Sequence, residues 1–176
     1  MLVIGPARAP RVVDRRAIAL SDDRVPTSRQ PYHAVMEAAP GRAARLERTL
    51  RGLVERVTKR SLRALLGEYR RQGRHVRGVA LVVGSVIDPA TIGNDHIRAH
   101  ALEGQLFRTA LERAAHAARV PCATLVERAL YQTAAARLKR SPTALKRAVT
   151  ALGDALAGPW RADEKAATLA AWLALR

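Results

Sequence analysis

Two short strand-like runs and a long polar stretch make up the first forty residues. Leu2–Ile4 is apolar, while Arg11–Leu20 mixes apolar and charged residues on both faces, which favours two strands with the second at a sheet edge. Residues 21–41 are polar and contain several prolines, so they predict an irregular surface loop. We interpret Tyr32 and His33 in this loop as packing anchors, with a functional role as the alternative.

The longest helical pattern runs from Ala43 to Gln72. Its apolar positions recur at helical spacing, but the stripe in the second half is rotated by about a quarter turn or more from the first. We therefore expect a kink or break near Thr58–Ser61. The two stripes are Leu46, Leu50, Leu53, Val54 and Val57, and then Leu62, Leu65, Leu66 and Tyr69.

The middle of the chain has the pattern of a strand-helix-strand unit. Val76–Val86 contains the apolar core Val79–Val83, which is typical of a central parallel strand covered on both faces. A helix then follows with Asn94 or Asp95 as its N-cap, and Pro121–Val126 reads as a second buried strand. Two parallel strands joined in this way need a crossover, which we expect to be right-handed.

Only helices are predicted in the C-terminal part, residues 130–175. A helix over Leu130–Lys139 precedes a second one that is capped by Ser141, and Gly158–Pro159 separates the second from a last, alanine-rich helix. Residues 1–176 therefore predict a single α/β domain, without repeats or a linker.

Three polar side chains interrupt the apolar side of the helix that starts near residue 95. At about 100° per residue, His96, His100 and Glu103 share a face with Leu106 and Ala110, which we expect to be buried. Burial of such groups costs several kcal/mol unless they are paired or bind a ligand. The pattern therefore indicates a candidate site at the N-terminal end of this helix.

Composition adds a strongly positive charge to a chain that is apolar enough to fold. The chain is 48% hydrophobic but only 3% aromatic, and its net charge is +16. Arginine supplies most of that charge, which suits nucleic acid, although a GC-rich genome also raises arginine content. We place the nucleic-acid surface on the long helix, where bases outnumber acids. The predicted binding residues are Arg45, Arg48, Arg56, Lys59, Arg60, Arg63 and Arg70.

The cysteine content and the N-terminal residues allow a prediction of where in the cell the protein lies. Cys122 is the only cysteine, so neither a disulfide framework nor a cysteine zinc site is expected. Residues 1–30 have no signal-peptide core, and the longest apolar stretch is too short to span a bilayer. We expect a cytoplasmic protein without a membrane partner, and a homodimer stays open.

Candidate ligands also gather where the predicted parallel strands end. Ligand sites in such sheets form at the carboxyl ends of the strands, where Ser85, Asp88 and Glu127 follow the two strands. The spacing of His96, His100 and Glu103 would suit zinc, manganese or iron. The alternative is a structural hydrogen-bond network with neutral histidines. Glycine-rich phosphate loops, the serine-hydrolase elbow and the zinc-protease motif are absent.

The order strand, strand, long helix, buried strand, helix, buried strand, helix resembles the ribonuclease H-like fold. Val79–Gly84 and the run Ala123–Arg128, with its terminal Glu127 and Arg128, are similar to the Holliday-junction resolvase branch and its pre-16S ribosomal RNA nuclease relatives. The acidic, alanine-rich tail around Asp163 is similar to their closing helix. His100–Gly104 and Gly158–Trp160 also resemble an uncharacterised bacterial family.

The resemblance implies a mixed sheet with helices on both faces and a site for two magnesium ions held by carboxylates. Glu103, Glu127 and Asp163 match as candidate catalytic ligands, whereas the first strand lacks the aspartate of the resolvases. We therefore expect a non-catalytic or degenerate domain that binds nucleic acid or a nucleoprotein assembly. A metal-dependent, structure-specific nuclease and a hydrolase of a small anionic substrate are the alternatives, with Mg, Mn or Zn as the metal.

Overall fold

Residues 1–175 form six α-helices and four short strands in the computed structural model, which describes this part of the chain apart from the side chain of Pro40. The prediction of a mixed α/β protein is confirmed. Within residues 1–175, none of the helices combines the length and the apolarity that crossing a membrane requires.

The contacts between elements group the chain into two compact units, each built from separated segments. The first unit contains Met1–Ala17, Arg77–Ser85 and the described chain from Val120 onward, and the second contains Ile18–Val76 and Val86–Arg119. The single domain expected over residues 1–176 stays a prediction.

All four strands belong to the first unit and pair in twos. Strand β1 (Leu2–Ile4) is antiparallel to β2 (Arg11–Asp14), and β3 (Val79–Val83) is parallel to β4 (Cys122–Val126). The parallel pairing predicted for the two apolar strands is therefore confirmed. The larger mixed sheet that the ribonuclease H-like resemblance implies stays a prediction.

Strand β2 ends at Asp14, six residues before the expected Leu20, because Asp14 pairs with Leu2, the first residue of β1, and β1 offers no partner to later residues. The Arg15 guanidinium donates to the carbonyl oxygens of Pro159 at 2.5 Å and Ala157 at 2.6 Å. It also pairs with Glu164 Oε1 at 3.2 Å. These bonds tie the chain after β2 to the segment that precedes the last helix.

The first unit has an apolar core under the parallel strands. Helices α4 (Glu127–Leu138), α5 (Pro142–Leu152) and α6 (Ala162–Leu173) supply its buried side chains. Trp172 is buried, and its indole Nε1 donates to the carbonyl oxygen of Ala7 at 2.7 Å. Strand β3 is half-buried along its length, so the expectation of a strand fully covered on both faces is wrong.

The second unit is helical throughout its described elements and corrects the expectation of an irregular loop over residues 21–41. That segment contains a 3-10 helix, Pro26–Arg29, and helix α1, Pro31–Met36. Each begins with a proline at its first position, where the missing N–H is not needed for an intrahelical bond. Helix α1 packs against α2 (Pro40–Arg71) and α3 (Asp95–Ala117).

Helix α2 runs without interruption from Pro40 to Arg71, so a break near Thr58–Ser61 is wrong, while a kink there stays a prediction. The two apolar stripes meet at Thr58, which is fully buried between them on the helix surface. The stripe can therefore drift around one continuous helix. The opposite side of α2 is polar and exposed along its length.

Candidate functional site

Helix α3 begins with a side-chain cap and carries a polar group on its buried side. Asn94 Oδ1 accepts a hydrogen bond from the Ile97 N–H at 3.0 Å, which satisfies one of the free amides at the helix start. The buried side then runs along α3 through Ala99, Glu103, Leu106, Ala110 and Ala114.

Of the three polar residues predicted to be buried there, only Glu103 is. His96 and His100 are exposed, so the expectation that both imidazoles point inward is wrong. His96 lies in the first turn of α3, and His100 lies at the edge of the buried side rather than within it. Both side chains nevertheless lie close to Glu103 or to its contacts.

Glu103 is 7% exposed and holds the start of α1 through one carboxylate oxygen. Oε1 accepts hydrogen bonds from the backbone N–H groups of Tyr32 and His33, each at 3.2 Å, and from His33 Nδ1 at 2.8 Å. Free N–H groups at a helix start favour a negative charge, so the carboxylate stabilises α1 electrostatically as well. Burial also raises the pKa of the Tyr32 hydroxyl, which keeps that group protonated.

This contact orients the His33 ring. A carboxylate can only accept, so His33 Nδ1 is the donor in this contact, and in the neutral ring the lone pair then lies on Nε2. That Nε2 lies 3.2 Å from His96 Nδ1. The sequence-based interpretation of His33 as a mere packing anchor misses this arrangement, because a spacing of more than sixty residues gives no helical periodicity to detect.

Three imidazoles meet at this point. His96 Nε2 lies 3.3 Å from His100 Nε2, and the ring centroids of the three histidines are 4.4 to 4.8 Å apart. One nitrogen from each of His33, His96 and His100 can be chosen so that all three lie within 4.8 Å of one another. We call these three residues the histidine cluster. Within residues 1–175 it is the one group of three or more such side chains close enough for a single ion.

The predicted carboxylate ligands are placed differently. Glu127 is the exposed first residue of α4, and Asp163 is exposed in the first turn of α6, both in the first unit. Acids are favoured in a first helical turn, which accounts for both. Glu103 belongs to the second unit and supports His33. The described carboxylates therefore do not fit the oxygen-rich magnesium site that the resemblance implies.

All seven residues predicted to bind nucleic acid are exposed on α2. At about 100° per residue, they fall on one arc together with Arg42 and Arg71, over about 44 Å of helix. A groove of about 630 Å³ lies on this arc. Its lining residues are Arg56, Lys59, Arg60, Arg63, Ala64, Gly67 and Arg71.

Most of these basic groups lack a carboxylate neighbour. Within residues 1–175, no ion pair is formed by Arg45, Arg56, Lys59 or Arg63. Arg60 contributes weakly to the lowered pKa of Asp22. That pKa falls to about 2 mainly because Arg24 donates hydrogen bonds to the carboxylate. The positive charge of this arc is therefore largely uncompensated by the chain itself.

Another part of the second unit shows the opposite arrangement. A cavity of about 820 Å³ between α1, α2 and α3 is lined by both acids and arginines. Its arginines are paired: Arg113 with Glu55 at 2.8 Å, Arg51 with Glu47 at 3.3 Å, and Arg98 with Asp95. This cavity has no free positive charge to offer, so the exposed arc of α2 is the better candidate for a polyanion.

Comparison with protein families, with curated proteins and with solved structures finds no match to this chain. The resemblance to the ribonuclease H-like fold therefore stays a prediction. The candidate sites rest on the geometry of the described residues alone.

Proposed function

We propose that the protein binds nucleic acid through the basic arc of α2. The observation that carries this proposal is the row of exposed, mostly unpaired basic side chains along one side of a single helix. A helix of this kind presents its charges at fixed spacing, so several can contact one phosphate backbone without the loss of much conformational freedom.

The chemistry of the arc suits phosphates. Duplex DNA carries one negative charge per about 1.7 Å of its axis, so an arc of about 44 Å faces many phosphates at once. Arginine, which dominates the arc, binds phosphate through two parallel N–H donors. Contacts of this type position a protein on the backbone and read no base sequence, so we expect binding with little sequence preference.

A binding role without catalysis is better supported than a nuclease. The candidate catalytic residues Glu103, Glu127 and Asp163 belong to no common cluster within residues 1–175. Glu103 is occupied by hydrogen bonds that hold α1. A degenerate ribonuclease H-like domain is part of this proposal, supported by the order of strands and helices along the chain. A hydrolase of a small anionic substrate stays a prediction.

The salt dependence of DNA binding tests the proposal. Affinity for a fluorescent 20-base-pair duplex is measured by anisotropy between about 50 and 200 mM salt. The variant Arg45→Ala/Arg56→Ala/Arg63→Ala removes three guanidinium groups that lie in line along the arc. Each lost phosphate contact lowers the slope of log affinity against log salt by about 0.9, so the triple variant should lose about 2.7.

The first unit offers a control with the same change in charge. The variant Arg128→Ala/Arg137→Ala/Arg147→Ala removes three exposed arginines from α4 and α5. It should leave the slope within about 0.5 of the original value if α2 makes the contacts. Equal losses from both variants, or an unchanged slope for the α2 variant, contradict the proposal. A cytoplasmic location and a homodimer stay predictions.

A further inference from the structure

We propose that the histidine cluster is a zinc site in which His33, His96 and His100 are the ligands and Glu103 supports His33 from behind. This site is independent of the nucleic-acid surface on α2. It differs from the ligand set predicted from the sequence, since His33 replaces Glu103 in contact with the metal.

The distances between ring nitrogens suit one ion. Zinc bound by imidazole at about 2.0–2.1 Å in a tetrahedral arrangement places neighbouring nitrogens about 3.3 Å apart. The contacts from His96 to His33 and to His100 are 3.2 Å and 3.3 Å, although they use different nitrogens of the His96 ring. One nitrogen from each of the three rings lies within 4.8 Å of the others, and the exposed His96 ring must turn for one of its nitrogens to face both partners.

The second observation that supports a metal site is the Glu103 carboxylate, which contacts the other nitrogen of the His33 ring. Metal-binding histidines usually donate their other ring N–H to a carboxylate or carbonyl, which fixes the ring and makes it a better ligand. The bond of 2.8 Å from His33 Nδ1 to Glu103 Oε1 has this form and leaves Nε2 free for the metal. Helix α1, held at its start by the same oxygen, keeps the ring in place.

The lack of an arginine or lysine partner for Glu103 among residues 1–175 also supports a bound cation nearby. Among residues 1–175, no arginine or lysine pairs with this buried carboxylate, although the chain has a net charge of +16. Its side-chain partners are His33 and, at 3.8 Å, His100 Nδ1. A divalent ion on the histidine cluster would supply the positive charge that this carboxylate lacks.

Three protein ligands leave one position of a tetrahedral zinc ion open. Because His96 and His100 are exposed, that position faces solvent and is expected to hold a water molecule. Zinc lowers the pKa of a bound water toward neutrality, and the position also accepts anionic ligands. The cluster is therefore a reactive type of site rather than a closed structural one.

Metal titration tests this proposal. Untagged protein is freed of metal by chelator dialysis and titrated with Zn²⁺ by calorimetry, and Co²⁺ absorption reports the coordination geometry. We expect one ion per chain and the visible bands of a tetrahedral cobalt site. His96→Ala and His100→Ala should each weaken Zn²⁺ binding at least about 100-fold, and Glu103→Gln should weaken it about 10-fold to 100-fold.

His116→Ala is the matched control, because His116 is an exposed histidine of the same helix that lies outside the cluster. It should leave affinity and cobalt spectrum unchanged. Circular dichroism of each variant establishes that it is folded, and His33→Gln adds a third ligand variant for comparison. Absence of Zn²⁺ binding by the folded protein overturns the proposal, as does equal binding by His96→Ala, His100→Ala and the original chain.

Discussion

Helices form most of both units of this protein, but the two units differ in the side chains that these helices carry. In the first unit, helices α4 to α6 and strands β3 and β4 surround an apolar core that contains Trp172, Leu130 and Leu169. The second unit buries a similar number of apolar side chains, Val54, Leu106 and Ala110 among them, and also the polar side chains of Ser28, Thr58 and Glu103. Its helices also carry a buried carboxylate, three clustered histidines and the basic arc.

The buried polar side chains and the histidine cluster therefore lie mainly in the second unit. Burial of apolar surface accounts for the first unit, at about 25 cal/mol per Å² removed from water. In the second unit, polar contacts such as those of Glu103 add to the burial of apolar surface. Because Glu103 holds the start of α1 and also contacts the His33 ring, the folding of α1 and the candidate site depend on the same group.

The largest effect is expected from the core of the first unit. Trp172→Ala removes a fully buried indole and its hydrogen bond to the Ala7 carbonyl, which should lower the free energy of unfolding by about 3–5 kcal/mol. Urea unfolding followed by the fluorescence of Trp160 measures this loss, since Trp160 is half-buried in the same unit. If Trp172→Ala lowers the free energy of unfolding by less than Val54→Ala does in the second unit, the difference drawn between the two units is wrong.

A smaller loss is expected when the polar support of the second unit is removed. Glu103→Ala leaves the backbone N–H groups of Tyr32 and His33 without their acceptor, which should cost about 1–3 kcal/mol. Glu103→Gln retains an acceptor oxygen and should cost less. Urea unfolding of metal-free protein measures both, and equal stability of all three chains would show that α1 does not depend on this carboxylate.

Each unit contains one buried threonine whose hydroxyl has no hydrogen-bond partner among residues 1–175. Thr58 in the second unit and Thr168 in the first have an Oγ1 without a hydrogen-bond partner among the described residues. Replacement by valine keeps the shape and removes the desolvated hydroxyl, so Thr58→Val and Thr168→Val should each stabilise the protein by about 1 kcal/mol. Thermal unfolding measures both. A loss of stability from either would indicate a hydrogen bond at that site.

The smallest effect concerns helix α3. Gly104 is exposed within this helix, and a Cβ there would meet no atom within 4 Å. Gly104→Ala should therefore stabilise the second unit by about 0.5–1 kcal/mol, because alanine loses less backbone entropy in a helix. An unchanged or lower melting temperature would contradict this prediction.

Sequence reasoning succeeds here where a periodic pattern is reinforced by neighbouring signals. The parallel pairing of β3 with β4 follows from two apolar runs joined by a helix, and Asn94 and Ser141 cap their helices as expected. The basic arc is also visible in the sequence, because charge on one side of a long helix needs only the helical period.

It fails where the outcome depends on distant contacts. Residues 21–41 fold into short helices partly because Glu103 accepts from the amides that begin α1, and no local pattern announces an acceptor about seventy residues away. His33 joins the histidine cluster for the same reason. The break expected near Thr58 from the rotated apolar stripe is wrong, because one continuous helix buries both stripes with Thr58 buried where they meet.

The most direct test of the central claim, that the second unit carries the nucleic-acid surface, is to map where a bound duplex touches the protein. A duplex that contains 5-bromodeoxyuridine is cross-linked to the protein by ultraviolet light, and mass spectrometry identifies the attached peptides. We predict cross-links to peptides from residues 42–71, on α2. Cross-links confined to residues 122–173, in the first unit, would contradict the account.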